Sequence, residues 1–415
     1  PTTKLPKDWS ENFIENICKI RDNERIPLNS KEREDKKPGN IPYYGANGKV
    51  DEINDFIFDG EFILLAEDGG HFEEFRDRPV AYKISGKAWV NNHAHVLEVK
   101  NGRAVTDWVF YSLEHKNLIP YISGGTRPKL NKTMLQKVKI PLPPKPEQRK
   151  IASVLYTVDQ AIQKTEEIIE QTKRVKKGLM QDFFGKFTNS NQKQRKSIRL
   201  GPKRVSVPTT WDLVELESVG EIVTGDTPST SNEEFFGGEL PFVTPDDFST
   251  DRYIYSGTRT LSEKGRKEAK PIPKNSIMME CIGMDLGKVR IAGCELATNQ
   301  QINSIIPYLD KINHEFLYYQ LVTFSELIRS QAGKTRTPIV NKSSFGAFEI
   351  VLPPLKKQNS IVNSLKEFDE KITIEQRNND YLKKLKKGLM QDLLTGEVRT
   401  NDKDLEVLDE VLEHG

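Results

Sequence analysis

Hydrophobic positions recur along this chain on two different periods. The apolar or small residues Ile151, Leu155, Val158, Ile162, Thr165, Ile169 and Thr172 are spaced 4, 3, 4, 3, 4 and 3 apart. Ile361, Leu365, Phe368 and Ile372 begin the same pattern, which Leu382, Leu385 and Leu389 resume. A repeat averaging 3.5 residues keeps one narrow apolar stripe on a helix. It predicts two helices of about 35–40 residues, each roughly 50–60 Å long at 1.5 Å per residue. Pro146 suits a first turn, and Gly185 and Gly396 suit the stops. So narrow a stripe calls for a second helix to cover it, and the chain supplies a related one. Packing of each stripe on its own globular domain is the alternative.

Outside these stretches the pattern shortens to strand-like runs broken by Gly, Pro, Asn and Asp. They span Phe56–Gly70, Pro79–Ser85 and Trp89–Val99, then Glu239–Phe248 and Ser276–Gly293, with helical stretches at Asp107–Glu114 and His314–Arg329. This predicts mixed α+β domains.

The chain also repeats itself. The heptapeptide KKGLMQD stands at Lys176–Asp182 and at Lys386–Asp392, and a shift of 210 residues lays Ile140–Leu155 on Ile350–Leu365 without a gap. Upstream, Leu5–Trp9 matches Val207–Trp211 at a shift of 202, so the second globular portion is eight residues longer (210 − 202). Gly39–Gly48 stands where Gly238–Asp247 stands, and Gly124–Lys132 where Gly333–Lys342 stands. The expected architecture is α+β: two similar mixed domains and two long helices forming an antiparallel coiled coil, with an internal pseudo-two-fold repeat. Its segments are a first domain at 1–145, a helix at 146–186, a basic linker at 187–205, a second domain at 206–355, a helix at 356–396 and an acidic tail at 397–415.

Composition narrows the class. With 415 residues, 36% hydrophobic and 29% charged, the chain can bury two or three real cores. No run of eighteen apolar residues and no basic-then-apolar leader is visible, so cytoplasm is the expected location. Cys18, Cys281 and Cys294 are odd in number and far apart, which argues for buried thiols over a disulfide framework or a zinc site. Net charge is only +2, yet Lys186, Lys193, Arg195, Lys196, Arg199, Lys203 and Arg204 follow one another with no intervening acid. Such a run is either a solvated linker or a contact for a polyanion.

Fragments of catalytic motifs fail on inspection. Gly333-Lys334-Thr335 ends like a phosphate-binding loop, but Ile328 occupies the place of its first glycine. His93 and His95 share a strand face, but no second cluster completes a metal shell. Asp77, Glu98 and Lys100 form a nuclease-like trio only if they meet in space. Leu142 and Leu352 stand where the prolines of an amino-methyltransferase motif would need Asn or Asp. What remains is binding hardware. Arg127 and Arg336 suit forked contacts to guanine or phosphate, and Lys129, Lys132, Lys334 and Lys342 suit phosphates. Asn91, Asn92, Asn299, Gln300 and Gln301 suit adenine edges.

Taken together, the two variable portions, the LPP…Q…I lead-in to each helix, the KKGLMQD endings, Thr224–Ser229 and Gly238–Asp247 resemble the DNA specificity subunits of type I restriction-modification systems. The resemblance runs from Leu5 to Val398, with Arg25–Ser30 departing from the usual TPS stretch. It implies a subunit without catalysis of its own, whose domains each read half of a split DNA site while the helices set the spacing. Two methyltransferase subunits carrying S-adenosylmethionine and a restriction and translocation subunit using ATP and Mg2+ would be its partners, with no cofactor or metal in this chain. The candidate DNA contacts are completed by Tyr44, Asn47, Asp68, Gly69, His93, Gly125, Thr126, Thr227, Thr244, Asp246 and Thr335. Ile151, Leu155, Ile162, Ile361, Leu365 and Ile372 are candidates for the partner interface. The competing reading from the residues is a coiled-coil scaffold for proteins, without DNA binding.

Overall fold

The computed structural model describes residues 5–124, 128–184, 195–200, 203–249, 251–332 and 337–400, with the side chains of 195–207 and 331 left aside. The chain divides into two compact units, Pro1–Glu166 with Arg377–Gly415, and Glu167–Gln376.

The first unit is built on a six-stranded sheet made of β1 (Cys18–Ile20), β2 (Ile41–Gly45), β3 (Gly48–Ile53), β4 (Phe58–Ala66), β5 (Ala81–Val90) and β6 (Ala94–Val99), in the order β1-β6-β4-β5-β2-β3. Alternate residues of β4 enter different cores: Ile63 and Leu65 pack with Trp108 under helix α1 (Thr106–Glu114), while Phe62 and Leu64 face Ile84 and Val96. A strand buried on both faces explains the unbroken apolar run read in the sequence.

The second unit repeats the plan. Its strands are β7 (Gly220–Thr224), β8 (Phe236–Val243), β9 (Tyr253–Ile254), β10 (Arg259–Leu261), β11 (Ile277–Glu280), β12 (Val289–Ala292), β13 (Ala297–Thr298) and β14 (Ile302–Pro307). They form a five-stranded sheet β7-β14-β11-β12-β9 and a three-stranded sheet β10-β8-β13. The helix corresponding to α1 in the first unit is His314–Gln331. Lys203–Pro208 pairs antiparallel with Arg195–Leu200, so the stretch expected as a linker is a hairpin at the backbone.

The two long helices are α2 (Lys145–Phe184) and, beyond His314–Gln331 (α3), α4 (Leu355–Thr395), 40 and 41 residues long. In the first unit the start of α2 puts Ile151, Ala152, Val154 and Leu155 into the domain core, and the end of α4 puts Met390 and Leu393 into that same core. In the second unit Ile361, Val362 and Leu365 from the start of α4 meet Met180 and Phe184 from the end of α2. Start lies with end in both, so the helices run antiparallel. Each helix therefore packs first on its own domain and last in the core of the other repeat, which joins the two readings of its stripe. Ile151, Leu155, Ile361 and Leu365 are at most 1% exposed and hold these cores together, instead of facing a partner subunit as expected; Ile162 and Ile372 are half-buried. Farther along α2, Glu166 accepts from Asn379 at 3.4 Å and pairs with Lys383 at 2.7 Å.

The heptapeptide is repeated because it makes the same contacts twice. Its first lysine, Lys386, lies 2.7 Å from Asp159 and 2.8 Å from Glu114, and Lys176 pairs with Asp369, the residue 210 positions after Asp159. Tyr111 and Tyr319 donate to those aspartates. Gln148 and Gln358 are likewise equivalent, each donating to the carbonyl of a preceding proline at 2.8 Å. Gln358 is fully buried, accepts from the Asn313 N–H at 2.8 Å and also donates to the Lys311 carbonyl at 3.1 Å. Replacing it with alanine strands three backbone groups, one in a buried bond and two in part-buried ones, and an unmet buried group costs about 1–3 kcal/mol. Gln358→Ala should lower the chain's unfolding free energy by roughly 3 kcal/mol in a urea titration.

Cys18 and Cys281 are buried, and burial pushes both thiols up to about 12. Cys294 is only half-buried.

Candidate nucleic-acid interface

Each domain gathers its candidate side chains where two strands run parallel. In the first, Tyr43 and Tyr44 of β2 pair with Trp89 and Val90 of β5, so the chain leaves both strands on the same side. Gly45–Asn47 and Asn91–His93 thus emerge together, and Asp68 and Gly69, just beyond the end of β4, lie beside them. These loops line an open cleft of about 320 Å³ formed by Gly45, Ala46, Asn47, Val50, Asp68, Gly69, Asn91 and His93. The cleft is tied internally: the Asn47 amide donates to the Gly69 carbonyl at 2.9 Å, and His93 Nδ1 faces Asp68. Asn91 accepts from the His93 N–H at 2.8 Å and donates its own N–H to the Tyr44 carbonyl at 3.0 Å. Gly69 has φ +65°, a left-handed conformation that glycine adopts without a side-chain clash.

The second domain builds the same frame with other side chains. Phe242 and Val243 of β8 run parallel to Ala297 and Thr298 of β13. Asn299 donates its N–H to the Val243 carbonyl and accepts from the Gln301 N–H, both at 3.1 Å, as Asn91 does with Tyr44 and His93. Thr244 donates through its N–H and hydroxyl to Asp247, which leaves the neighbouring Asp246 exposed. Burial opposes the charge on Asp247, but bonds from Thr258 and Thr244 outweigh it and hold the carboxyl below its ordinary value. The Thr227 hydroxyl donates to Gln300 at 2.6 Å.

Asn47, Asp68, Gly69, Asn91 and His93 thus meet in one cleft, with Tyr44 behind it and exposed Asn92 beside it. Thr227, Thr244, Asp246, Asn299, Gln300 and Gln301 occupy the corresponding loops of the second domain. Lys132 and Lys342 are exposed at the first turns of two short helices capped by Asn131 and Asn341. Lys129 pairs with Glu67 at 3.0 Å. Gly125, Thr126, Arg127, Lys334, Thr335 and Arg336 lie outside the described residues.

The histidines separate. His93 faces the cleft, whereas His95, 1% exposed, lies between Asp22 and the Leu130 carbonyl. Asp22, Glu67 and His95 bring three ligand-type atoms within 4.8 Å, but Arg25, 2.7 Å from Glu67, and Lys129 supply positive charge there. The nuclease-like trio is dispersed: Asp77 pairs with Lys387, Glu98 with Arg21, and Lys100 donates to the Glu15 carbonyl.

Two features escaped the sequence reading. Glu280, 4% exposed, keeps one carboxylate oxygen without a hydrogen bond among the described residues, and burial raises its pKa. His95 and Asn303 occupy equivalent strand positions, opposite Leu65 and Met279. Sliding the halves by 208 residues would have aligned them.

Two matching domains, each bringing loops together at a parallel strand pair, define a duplicated recognition protein. A family model described as the type I restriction modification DNA specificity domain matches residues 6–174 and again 208–384, and the chain belongs to that family. The type I restriction enzyme MjaIX specificity subunit of Methanocaldococcus jannaschii is 34% identical over 185 residues, 43% of this chain and 42% of that protein. The MjaVIII specificity subunit of the same organism is 26% identical over 420 residues, covering 96% of this chain and 95% of its own length. The crystal structure of a type I restriction-modification S subunit from M. genitalium superposes with a TM-score of 0.61 at 14% identity, over 95% of this chain and 98% of the other, and shares its fold. Among the described residues no helix is long and apolar enough to cross a membrane.

Proposed function

We propose that the chain reads a split, asymmetric DNA site, one half with each domain, and confers that specificity on partner subunits that perform the chemistry. One observation carries this reading: the same frame of a parallel strand pair and its loops occurs twice with different side chains. A kept frame with changed contact groups is the arrangement expected of two readers of one kind of ligand. Amides, hydroxyls and carboxylates at the loop tips suit base edges, and the neighbouring lysines suit phosphates.

In this reading the long helices set the separation of the half-sites. Two methyltransferase subunits with S-adenosylmethionine flip out and methylate the target adenines, and a restriction subunit using ATP and Mg2+ cleaves. The purified chain should bind duplex DNA with a strong salt dependence. It should enrich two separated sequence blocks from a randomised duplex pool, and should neither methylate nor cut without partners. Sequence-independent binding, or none, would leave the protein scaffold as the better description.

A further inference from the structure

In each domain one inward-facing side chain of the central sheet reaches the backbone at Leu130 or Val340, which follows the Thr-Arg pair in sequence. His95 Nε2 lies 2.7 Å from the Leu130 carbonyl oxygen, and Asn303 Nδ2 lies 3.0 Å from that of Val340. Leu130 and Val340 are equivalent: each precedes the asparagine that caps a short helix. Each also donates its N–H to the end of a strand, Leu130 to the Glu67 carbonyl at 2.8 Å and Val340 to that of Cys281 at 2.9 Å. Leu130 and Val340 are therefore each pinned at both backbone groups.

The groups behind the anchors correspond in place and differ in charge. Asp22 Oδ2 lies 2.6 Å from His95 Nδ1, and the Thr224 hydroxyl donates to Asn303 Oδ1 at 2.7 Å. Residues 22 and 224 are related by the same 202-residue shift as the N-terminal frame. Both nitrogens of His95 face acceptors. The carbonyl carries no proton, and Asp22 is held below the ordinary carboxylate range because the hydrogen bond and charge of His95 outweigh its burial. One ring nitrogen is thus engaged by a carboxylate and the other by a backbone carbonyl. The charged groups around it are Asp22, Glu67 at 3.6 Å, Arg25 bound to Glu67 and 3.7 Å from Asp22, and Lys129 bound to Glu67. Asn303 holds the equivalent carbonyl with a neutral amide.

We infer that His95 and Asn303 are positioning residues for DNA reading, each for the half-site read by its own domain. The inference rests on the DNA-reading function proposed above. Losing either anchor frees the carbonyl it holds and loosens the segment at Leu130 or at Val340, so discrimination at one half-site falls while the other is unchanged.

The test uses the full chain and a duplex pool with two randomised blocks, captured and sequenced. His95→Ala should reduce enrichment of one block by about tenfold or more and spare the other, and Asn303→Ala should do the reverse. The double variant Asp22→Thr/His95→Asn installs the neutral pair of the second domain. It should restore the lost block, and it decides the question if His95→Ala fails to fold. Equal loss of both blocks on His95→Ala, no loss of either, or a double variant that melts like wild type yet restores nothing would overturn the inference. If the wild-type chain enriches neither block, the DNA-reading function itself fails, which is a separate and recognisable result.

Discussion

Deleting one heptad from each long helix, Thr165–Gln171 from α2 and Glu375–Tyr381 from α4, should yield a folded protein that selects half-sites closer together. The two segments are related by the 210-residue repeat, and neither contributes a residue to the two domain cores that enclose the helix ends. Glu166 and Asn379, which bond to each other, leave together, and Lys383 is left exposed without cost. Removing seven residues returns the 3.5 repeat to register, so Thr172 takes the place of Thr165 on the stripe. Seven residues at 1.5 Å each shorten the helices by about 10 Å, which is up to about three base pairs at 3.4 Å per step. Sequencing of duplexes selected by the deletion variant reads the spacer directly. A folded variant that keeps the original spacer would show that the helices do not set it.

The second large effect belongs to Lys386→Met. Lys386 and Glu114 are only 13% and 10% exposed, and Asp159 is 28% exposed. Burial opposes the charge on Lys386, but the two carboxylates outweigh it and keep it protonated; for Glu114 burial dominates and raises its pKa despite the lysine. Removing the cation leaves two acids facing each other in a dry site, and breaking such a buried network costs about 3–5 kcal/mol. The loss should be visible as an earlier urea midpoint. It should also be larger at high pH than at low pH. A Glu whose folded pKa lies above its unfolded value destabilises increasingly as pH rises from the unfolded value through the folded one, and without Lys386 that gap widens. Lys387→Met is the control. Its side chain is 62% exposed against an Asp77 that is 78% exposed, so its change should stay within about 0.5 kcal/mol. Equal effects of the two substitutions would mean that the repeated lysine is not a buried keystone.

The heptad spacing made both long helices legible, because a 3.5 repeat kept over many turns has one structural solution. Trp89–Val99 and Phe56–Gly70 were legible as strands, but the sheet order was not. The parallel pairing of β2 with β5 joins residues over forty positions apart, and nothing local announces it. The basic stretch read as a linker is a hairpin at the backbone, since its alternation was masked by its charge. Asn47, Asp68, Asn91 and His93 were recognisable as candidates, each alone. Their meeting in one cleft follows from that parallel pairing.

By itself, the sequence determined the duplication, the two long helices, the mixed domains and the family, because repeats and periodicity are one-dimensional properties that survive any amount of folding. The tertiary structure decided which lysine meets which aspartate, that the helix stripes close the chain's own cores, and that a histidine and an asparagine serve one anchoring role. Those are contacts between distant segments. They depend on strand register and on the direction of helix pairing, and no local pattern of residues encodes either.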